Sequence, residues 1–261
     1  MKKILLLVLL AGLSIMNVSA LEENDYIFSL CQEVRDPGSY TLDPYFVIPG
    51  LGIFKKEGQN RFKSLDRERC TEFDEFIRMD DIYFDQILAL DSMMIVRSGK
   101  SIWKITEKAE SIERIDTNAF RLFAGHQNNC YAVTYENGNS TLYSIGLIPG
   151  SDSLPLVSTE GYILRVIPSA GGEDDLVFLS DGMLFLYSEK ELKSLFRTDE
   201  PIIDFALVNK GILYLTSSGL FRYDGELNFA VSHKQYRQLL YDEGRTYIIG
   251  DNDHIYYSDI F

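Results

Sequence analysis

The sequence is poor in the residues from which catalytic and metal centres are usually built. Its 261 residues include three cysteines and three histidines. None of His126, His233 and His254 stands beside a serine of the nucleophile-elbow kind, so an acyl-transfer triad has little to be made from. The spacings of Cys31, Cys70 and Cys130 match no zinc pattern. Three disulfide pairings are open to them, and three buried thiols acting as small apolar side chains are an equal alternative. Asp251, Asp253 and His254 lie close together, but the run is too short for a calcium loop and lacks its closing acid, so it reads as a tight turn. Glu173-Asp174-Asp175 precedes a strand-like run and reads as a solvated loop. No glycine-rich phosphate cradle is present, and no cofactor or metal is expected.

Basic charge is also short. There are 25 Lys and Arg against 39 Asp and Glu, a net charge of −14. Such a chain repels nucleic acid and anionic membrane surfaces. Long apolar runs are missing except for Ile4 to Met16, which is shorter than the roughly 20 residues a spanning helix needs. Lys2 and Lys3 precede that run and Val18-Ser19-Ala20 follows it, the pattern of a secretory signal peptide. Residues 1–20 are therefore expected to be removed, leaving residues 21–261 as one domain in the periplasm or outside the cell, with no membrane insertion. Loss of the two lysines takes the net charge from −14 to −16. An oxidising compartment permits one disulfide among the three cysteines.

Sustained helical periodicity is scarce as well. What is abundant is short apolar runs, rich in the 16 Tyr and 16 Phe and separated by turn residues, which makes the chain all-β. The stretch TSSGLFRYDGELNF, residues 216–229, shows the unit: Leu220-Phe221 follows a Ser217-Ser218-Gly219 turn, and Ile212-Leu213-Tyr214-Leu215 precedes it. Equivalent apolar–aromatic pairs stand at Ile53-Phe54, Ile102-Trp103, Leu142-Tyr143, Leu184-Phe185 and Ile255-Tyr256, each after a turn and a short strand. The steps between them are 49, 40, 42, 36 and 35 residues. A period near 40 with four short strands per unit predicts a β-propeller, here six-bladed. Side chains alternate across a strand, so the two residues of each pair face the two neighbouring blades.

The last unit lacks an outer strand. Tyr26 to Leu30 is an unclaimed strand candidate, and the expectation is that this N-terminal strand pairs with the last blade and closes the ring. Cys31 and Cys70 would then both fall near the seam, which makes Cys31–Cys70 the preferred disulfide. The longest step holds DRERCTEFDEFIRMDD, residues 66–81, where Phe73, Phe76 and Ile77 are spaced for a short helix or an elaborated loop.

At these residues the chain resembles bacterial β-propeller repeat proteins. SSGLFRYDGE, residues 217–226, looks like the repeats of periplasmic propeller sensors joined to hybrid two-component kinases, and SDGMLFLYSE, residues 180–189, is a looser second copy. Quinoprotein propellers share a glycine turn and a tryptophan, but the one tryptophan here is Trp103. The resemblance covers residues 21–261 at the level of architecture and carries no catalytic residues across.

One constellation depends on the repeat. Aligned inner strands carry a charged residue after an apolar one at Asp85, Arg121, Arg165, Asp204 and Arg237. These five would ring the central channel. Either they bridge neighbouring blades, or the three arginines form a site for an anionic or carboxylate-bearing ligand. The functional expectation is a non-catalytic binding or scaffold protein that engages a protein, peptide or carbohydrate on one face. The alternatives are a periplasmic hydrolase or lyase working at the channel mouth, and an orphan sensor module.

Overall fold

Alternating apolar residues broken by two-residue turns leave the chain one economical solution, the antiparallel hairpin. The computed structural model describes residues 29–33, 45–48, 52–58, 61–64, 86–90, 93–99, 101–106 and 112–117. From 119 to 258 it describes all but 126–128, 148–151, 170, 173–174, 210, 243–244 and 251–253. The described strands sort into six antiparallel sheets. The first holds β2 (Tyr45–Ile48), β3 (Gly52–Gly58) and β4 (Arg61–Ser64). The second holds β5 (Gln86–Leu90), β6 (Met93–Ser98), β7 (Ser101–Thr106) and β8 (Ile112–Thr117). Then come β9 (Arg121–Ala124), β10 (Cys130–Glu136), β11 (Asn139–Ile145) and β12 (Leu154–Glu160). The fourth is β13 (Ile163–Pro168), β14 (Leu176–Ser180), β15 (Met183–Ser188) and β16 (Glu191–Ser194). The fifth is β17 (Asp204–Val208), β18 (Gly211–Thr216), β19 (Gly219–Tyr223) and β20 (Asn228–Ser232). In the sixth, β21 (Tyr236–Asp242), β22 (Arg245–Gly250) and β23 (His254–Ser258) are joined by β1 (Ser29–Glu33), which pairs with β23 through Ser29–Tyr257 and Leu30–Tyr256.

The arrangement is a β-propeller. Side chains are described almost throughout for the four blades that run from β9 to β23, fewer than the six expected. The third, fourth and fifth sheets are apolar on both faces, and each face is covered by a different neighbour. Leu213, Leu215 and Leu220 pack with Tyr236, Leu239 and Ile248 of the following sheet. Their alternates Ile212 and Tyr214, with Phe221 beside them, pack with Val177, Leu179 and Leu184 of the preceding one. Tyr131, Val133 and Leu142 meet Val166, Leu176 and Phe178 in the same way, and Ile95 and Ile102 meet Leu122, Cys130 and Ala132. The buried apolar residues thus form a series of cores between sheets rather than one central core. The Leu220-Phe221 pair of the starting stretch is split between two of them, as the alternation requires.

One assignment moves. Tyr45–Ile48 reads in the sequence as a second strand, but β2 lies against β5 and β21, the innermost strands of its neighbours. It is therefore the innermost strand of its own sheet, and the chain reaches the third strand only at Arg61–Ser64. Counted from Phe62 rather than Ile53, the step to Ile102 is 40 residues, so the 49-residue step came from matching different strands. Of the N-terminal strand candidate, residues 26–28 lie outside the described residues, and the described strand is Ser29–Glu33. The expected helix around residues 73–77 lies outside the described residues.

Two glycines show how tightly outer strands approach the hairpins. Gly219 has φ +144°, and a Cβ there would sit 2.1 Å from the Ser232 carbonyl oxygen. Gly225 has φ +105° with nothing within 4 Å of the same position. Gly219→Ala should cost roughly 3 kcal/mol or more, combining backbone strain with a clash that only strand separation relieves. Gly225→Ala should cost about 1–2 kcal/mol from strain alone. Urea unfolding of the two variants checks the contrast, and equal costs would contradict the packing of β20 on β19.

Candidate functional site

The innermost strand of each sheet pairs on one side only, so its other edge presents backbone N–H and C=O groups with no strand to receive them. Side chains of the preceding sheet take that role. Gln86 on β5 accepts the Leu122 N–H at 2.8 Å and donates to the Leu122 carbonyl at 2.6 Å, gripping β9 by both groups. Arg121 on β9 donates Nη1–H to the Leu164 carbonyl of β13 at 2.7 Å. Arg165 on β13 donates Nη1–H to both carboxylate oxygens of Asp204 on β17, at 2.7 and 2.8 Å. Asp204 in turn accepts the Leu239 N–H of β21 at 2.7 Å and the Phe205 N–H at 2.9 Å. Four consecutive boundaries are thus crossed by one side chain each.

Register decides which residues belong to this set. Gln86, Arg121, Arg165, Asp204 and Gln238 pair with Arg97, Val133, Leu179, Leu215 and Ile249 of their second strands, which makes them equivalent. Arg121, Arg165 and Asp204 therefore stand where the sequence alignment puts them. Arg237 does not: a bulge between Tyr236 and Gln238 displaces it from the pairing, and it is exposed. Asp85 lies outside the described residues, and its neighbour Gln86 takes the equivalent position. The bulge at Leu164 in β13 shows the same displacement.

Asp204 is buried, at 7% exposure. Burial pushes its carboxyl above the ordinary range, while the Arg165 charge and the two backbone donors pull against that shift. Its two oxygens take four hydrogen bonds, from Arg165, Phe205 and Leu239, and the Arg165 charge is spent on it. Cys130 is fully buried in the core beside Ile102, and burial pushes its thiol up to about 12, so it behaves as a small apolar residue. Cys31 is the bulged residue of β1, Cys70 lies outside the described residues, and the expected pair is not located. His254 starts β23 rather than sitting in a turn, and its ring meets Tyr256 edge-on. His233 is exposed, and His126 is outside the described residues.

One face of the fold gathers the turns between second and third strands with the connectors that leave each sheet. Gly161 N–H donates to the Gly138 carbonyl and Ile202 N–H to the Gly182 carbonyl, both at 2.9 Å, and the Gln235 amide reaches the Ser217 carbonyl at 3.2 Å. Glu200 binds the next turn through the hydroxyls of Ser218 and Ser217, and these hold its carboxyl down to about 2. On the same face Tyr135 and Tyr162 stack with centroids 4.0 Å apart, and Phe120 lies 6.0 Å from Tyr162. A hydrogen bond with Tyr162 raises the Tyr135 pKa. Asp181 accepts the Tyr162 N–H at 3.3 Å, and the Arg121 guanidinium lies 6.0 Å from the centre of the Phe120 ring. Tyr162, Met183 and Ile203 are 43%, 48% and 45% exposed on this face. Sequence reading missed the cluster because its three rings come from a connector, a strand end and the next connector. The one available signal was an aromatic residue at each of those turn-proximal positions.

Two predictions arise. Asp204→Asn keeps acceptor capacity but strands the Arg165 charge in a half-buried site, and should cost about 3 kcal/mol. Adding Arg165→Met should recover part of that loss, as a denaturation cycle over the four proteins would show. Glu200 has a lowered pKa, so the stability it adds is present above the ordinary carboxylate pKa and is lost as pH falls toward about 2. Glu200→Gln should lower the melting temperature at neutral pH, with the gap closing in acid.

No known protein family matches the chain, and no curated protein matches it by sequence. Solved structures do match in fold. The extracellular domain of BT4673 from B. thetaiotaomicron, part of a one-component or hybrid two-component system, superposes with a TM-score of 0.57 at 14% identity, over 90% of this chain and 36% of that one. A catalytically inactive virginiamycin B lyase from Staphylococcus aureus, crystallised with quinupristin, gives 0.51 at 12% identity, over 88% of this chain and 98% of the lyase. The chain thus spans little more than a third of the BT4673 domain, and what the likeness establishes is the fold of bacterial β-propeller proteins.

Proposed function

We propose that residues 1–20 direct export and are removed, and that the remainder is one six-bladed propeller, closed by β1 on β23, acting as a non-catalytic binding or scaffold protein. The ring reading is supported by the order in which innermost strands touch: β2, β5, β9, β13, β17, β21 and back to β2. The pairing of β1 with β23 supplies the sixth sheet with its fourth strand, which favours closure by the two chain ends. Export is supported by the signal-like N-terminus and by the likeness to an extracellular domain.

The binding surface in this proposal is the turn-bearing face, and the partner is a protein, a peptide or a glycan. The observation that carries it is the cluster of Phe120, Tyr135 and Tyr162 with exposed Met183 and Ile203 nearby. Rigid aromatic rings with polar tips give large contact area at little entropic cost. The channel ring serves in this proposal mainly to join blades, since Arg165 is neutralised by Asp204. Acid–base chemistry at the channel mouth finds Asp204 already engaged by four hydrogen bonds.

Affinity capture of the exported protein from the cell envelope, analysed for proteins and glycans, tests the face. Tyr162→Ala should leave the melting temperature nearly unchanged and reduce capture of the partner at least tenfold. An unchanged capture profile for Tyr162→Ala combined with Ile203→Ser would remove this face from consideration.

A further inference from the structure

The sheet boundaries are close to repeats of one another, so a position that is filled at two of them and open at a third is informative. In β14 and β15, Phe178 and Phe185 pair across the hairpin and stack at 5.4 Å, facing the preceding sheet. In β18 and β19, Tyr214 and Phe221 do the same at 5.5 Å. By pairing register the equivalents in β10 and β11 are Ala132 and Tyr143. The first ring of the pair is reduced to a methyl group. The boundary between the second and third sheets accordingly contains a cavity of about 320 Å³. That is at the small end of ligand pockets, roughly 300–1,000 Å³.

Its lining is built in two tiers. Ile102, Ala119, Ala132 and Ile145 give an apolar wall, with Tyr143 presenting its ring. Nearer the Asn137-Gly138 turn, Thr134, Thr141, Asn139 and Glu136 add hydroxyl, amide and carboxylate groups. All four stand at exposed or half-buried positions toward the turn, where the hairpin is longer than its counterparts: β10 and β11 have seven residues each, against five and six for β14 and β15. The added length carries the polar tier, and the reduced ring opens the apolar one. An aromatic ring and small apolar wall with a fringe of neutral acceptors and donors and one carboxylate suits a pyranose, whose C–H face is apolar and whose edge is hydroxylated. A polyanion would be repelled by Glu136 and by the acidic chain.

We infer that this cleft between the second and third sheets is a carbohydrate site for a neutral mono- or disaccharide unit, gripped by Tyr143 on its C–H face and by Thr134, Asn139, Thr141 and Glu136 on its hydroxyls. It rests on the binding-protein reading above but not on the Phe120–Tyr135–Tyr162 cluster. That cluster faces the fourth sheet, on the opposite side of β10. A glycan end bound here emerges at the turn-bearing face.

Saturation-transfer NMR and calorimetry of the full exported chain, with the methyl glycosides of glucose, galactose, mannose, N-acetylglucosamine and fucose as probes, test the site. At least one probe should bind, with Kd between about 10 µM and a few mM, the weak range expected for a shallow single-sugar contact. Glu136→Gln with Asn139→Ala, both at exposed positions, should weaken it at least tenfold without changing the fold. Ala132→Phe, which restores the ring found at two other boundaries, should abolish binding while holding or raising the melting temperature. If Ala132→Phe does not fold, the exposed double variant decides alone. Absence of binding to every probe, or binding indifferent to the double variant, overturns the inference. Tyr162→Ala separates the two readings: it should leave glycoside binding intact, whereas a loss with Tyr162→Ala alone would place the sugar on the aromatic cluster instead.

Discussion

The edge of the innermost strand is the constraint on which the rest depends. A sheet that pairs on one side only leaves backbone donors and acceptors facing the axis, and an unpaired buried amide or carbonyl costs about as much as a lost hydrogen bond. The chain resolves this with side chains from the sheet before. Gln86 satisfies Leu122 twice, Arg121 satisfies Leu164, and Asp204 satisfies Leu239. Asp204 and Gln86 do the same work, accepting the N–H one residue beyond the equivalent position on the next strand. Each such bond fixes the height of one sheet against the next, and the apolar cores between sheets can then interdigitate in only one register.

Those cores follow from strand geometry. Residues alternate sides, so a sheet with neighbours on both faces must be apolar at every position, as β14 and β18 nearly are. The outer strands have fewer neighbours and turn polar, with β16 exposed throughout. Burial therefore grades from axis to rim within each sheet. The turns, by contrast, are held by connectors, through backbone bonds such as that from Gly161 to Gly138 and through the side chains of Glu200 and Gln235.

Much of this was legible in the letters. Five of the six equivalent hairpins fall where an apolar–aromatic pair follows a turn, because period-two alternation and turn residues survive in those copies; in the first sheet the pair Ile53-Phe54 lies on the second strand. The strand Ser29–Glu33, which overlaps the N-terminal strand candidate, pairs with β23. What failed to read was register. Tyr45–Ile48 carries the apolar residues of a second strand and is an innermost one, since both are buried on two faces and composition cannot separate them. Asp85 and Arg237 were each placed one residue from the equivalent position. At Arg237 a bulge adds one unpaired residue, which no pattern of apolar letters announces. The aromatic cluster was invisible for a related reason: its members become neighbours only when two connectors converge on one turn.

The side chains that join the sheets are not copies of one another. Read around the equivalent position they are Gln86, Arg121, Arg165 and Asp204, and each suits its own boundary. An amide can grip a donor and an acceptor together, an arginine can only donate, and a carboxylate can only accept. Exchanging Arg121 with Asp204 would set acceptor against acceptor at one boundary and donor against donor at another. In a chain whose units resemble one another so closely, that chemical asymmetry tells each sheet which neighbour is its own and disfavours pairing out of order. The same asymmetry explains why one boundary can depart from the rest. Once Gln86 holds β9 by both backbone groups, the boundary between second and third sheets has an anchor at the axis. It then has less need of the stacked rings that fill its counterparts. Ala132 stands where Phe178 and Tyr214 stand elsewhere, and the space it leaves remains open without loosening the fold.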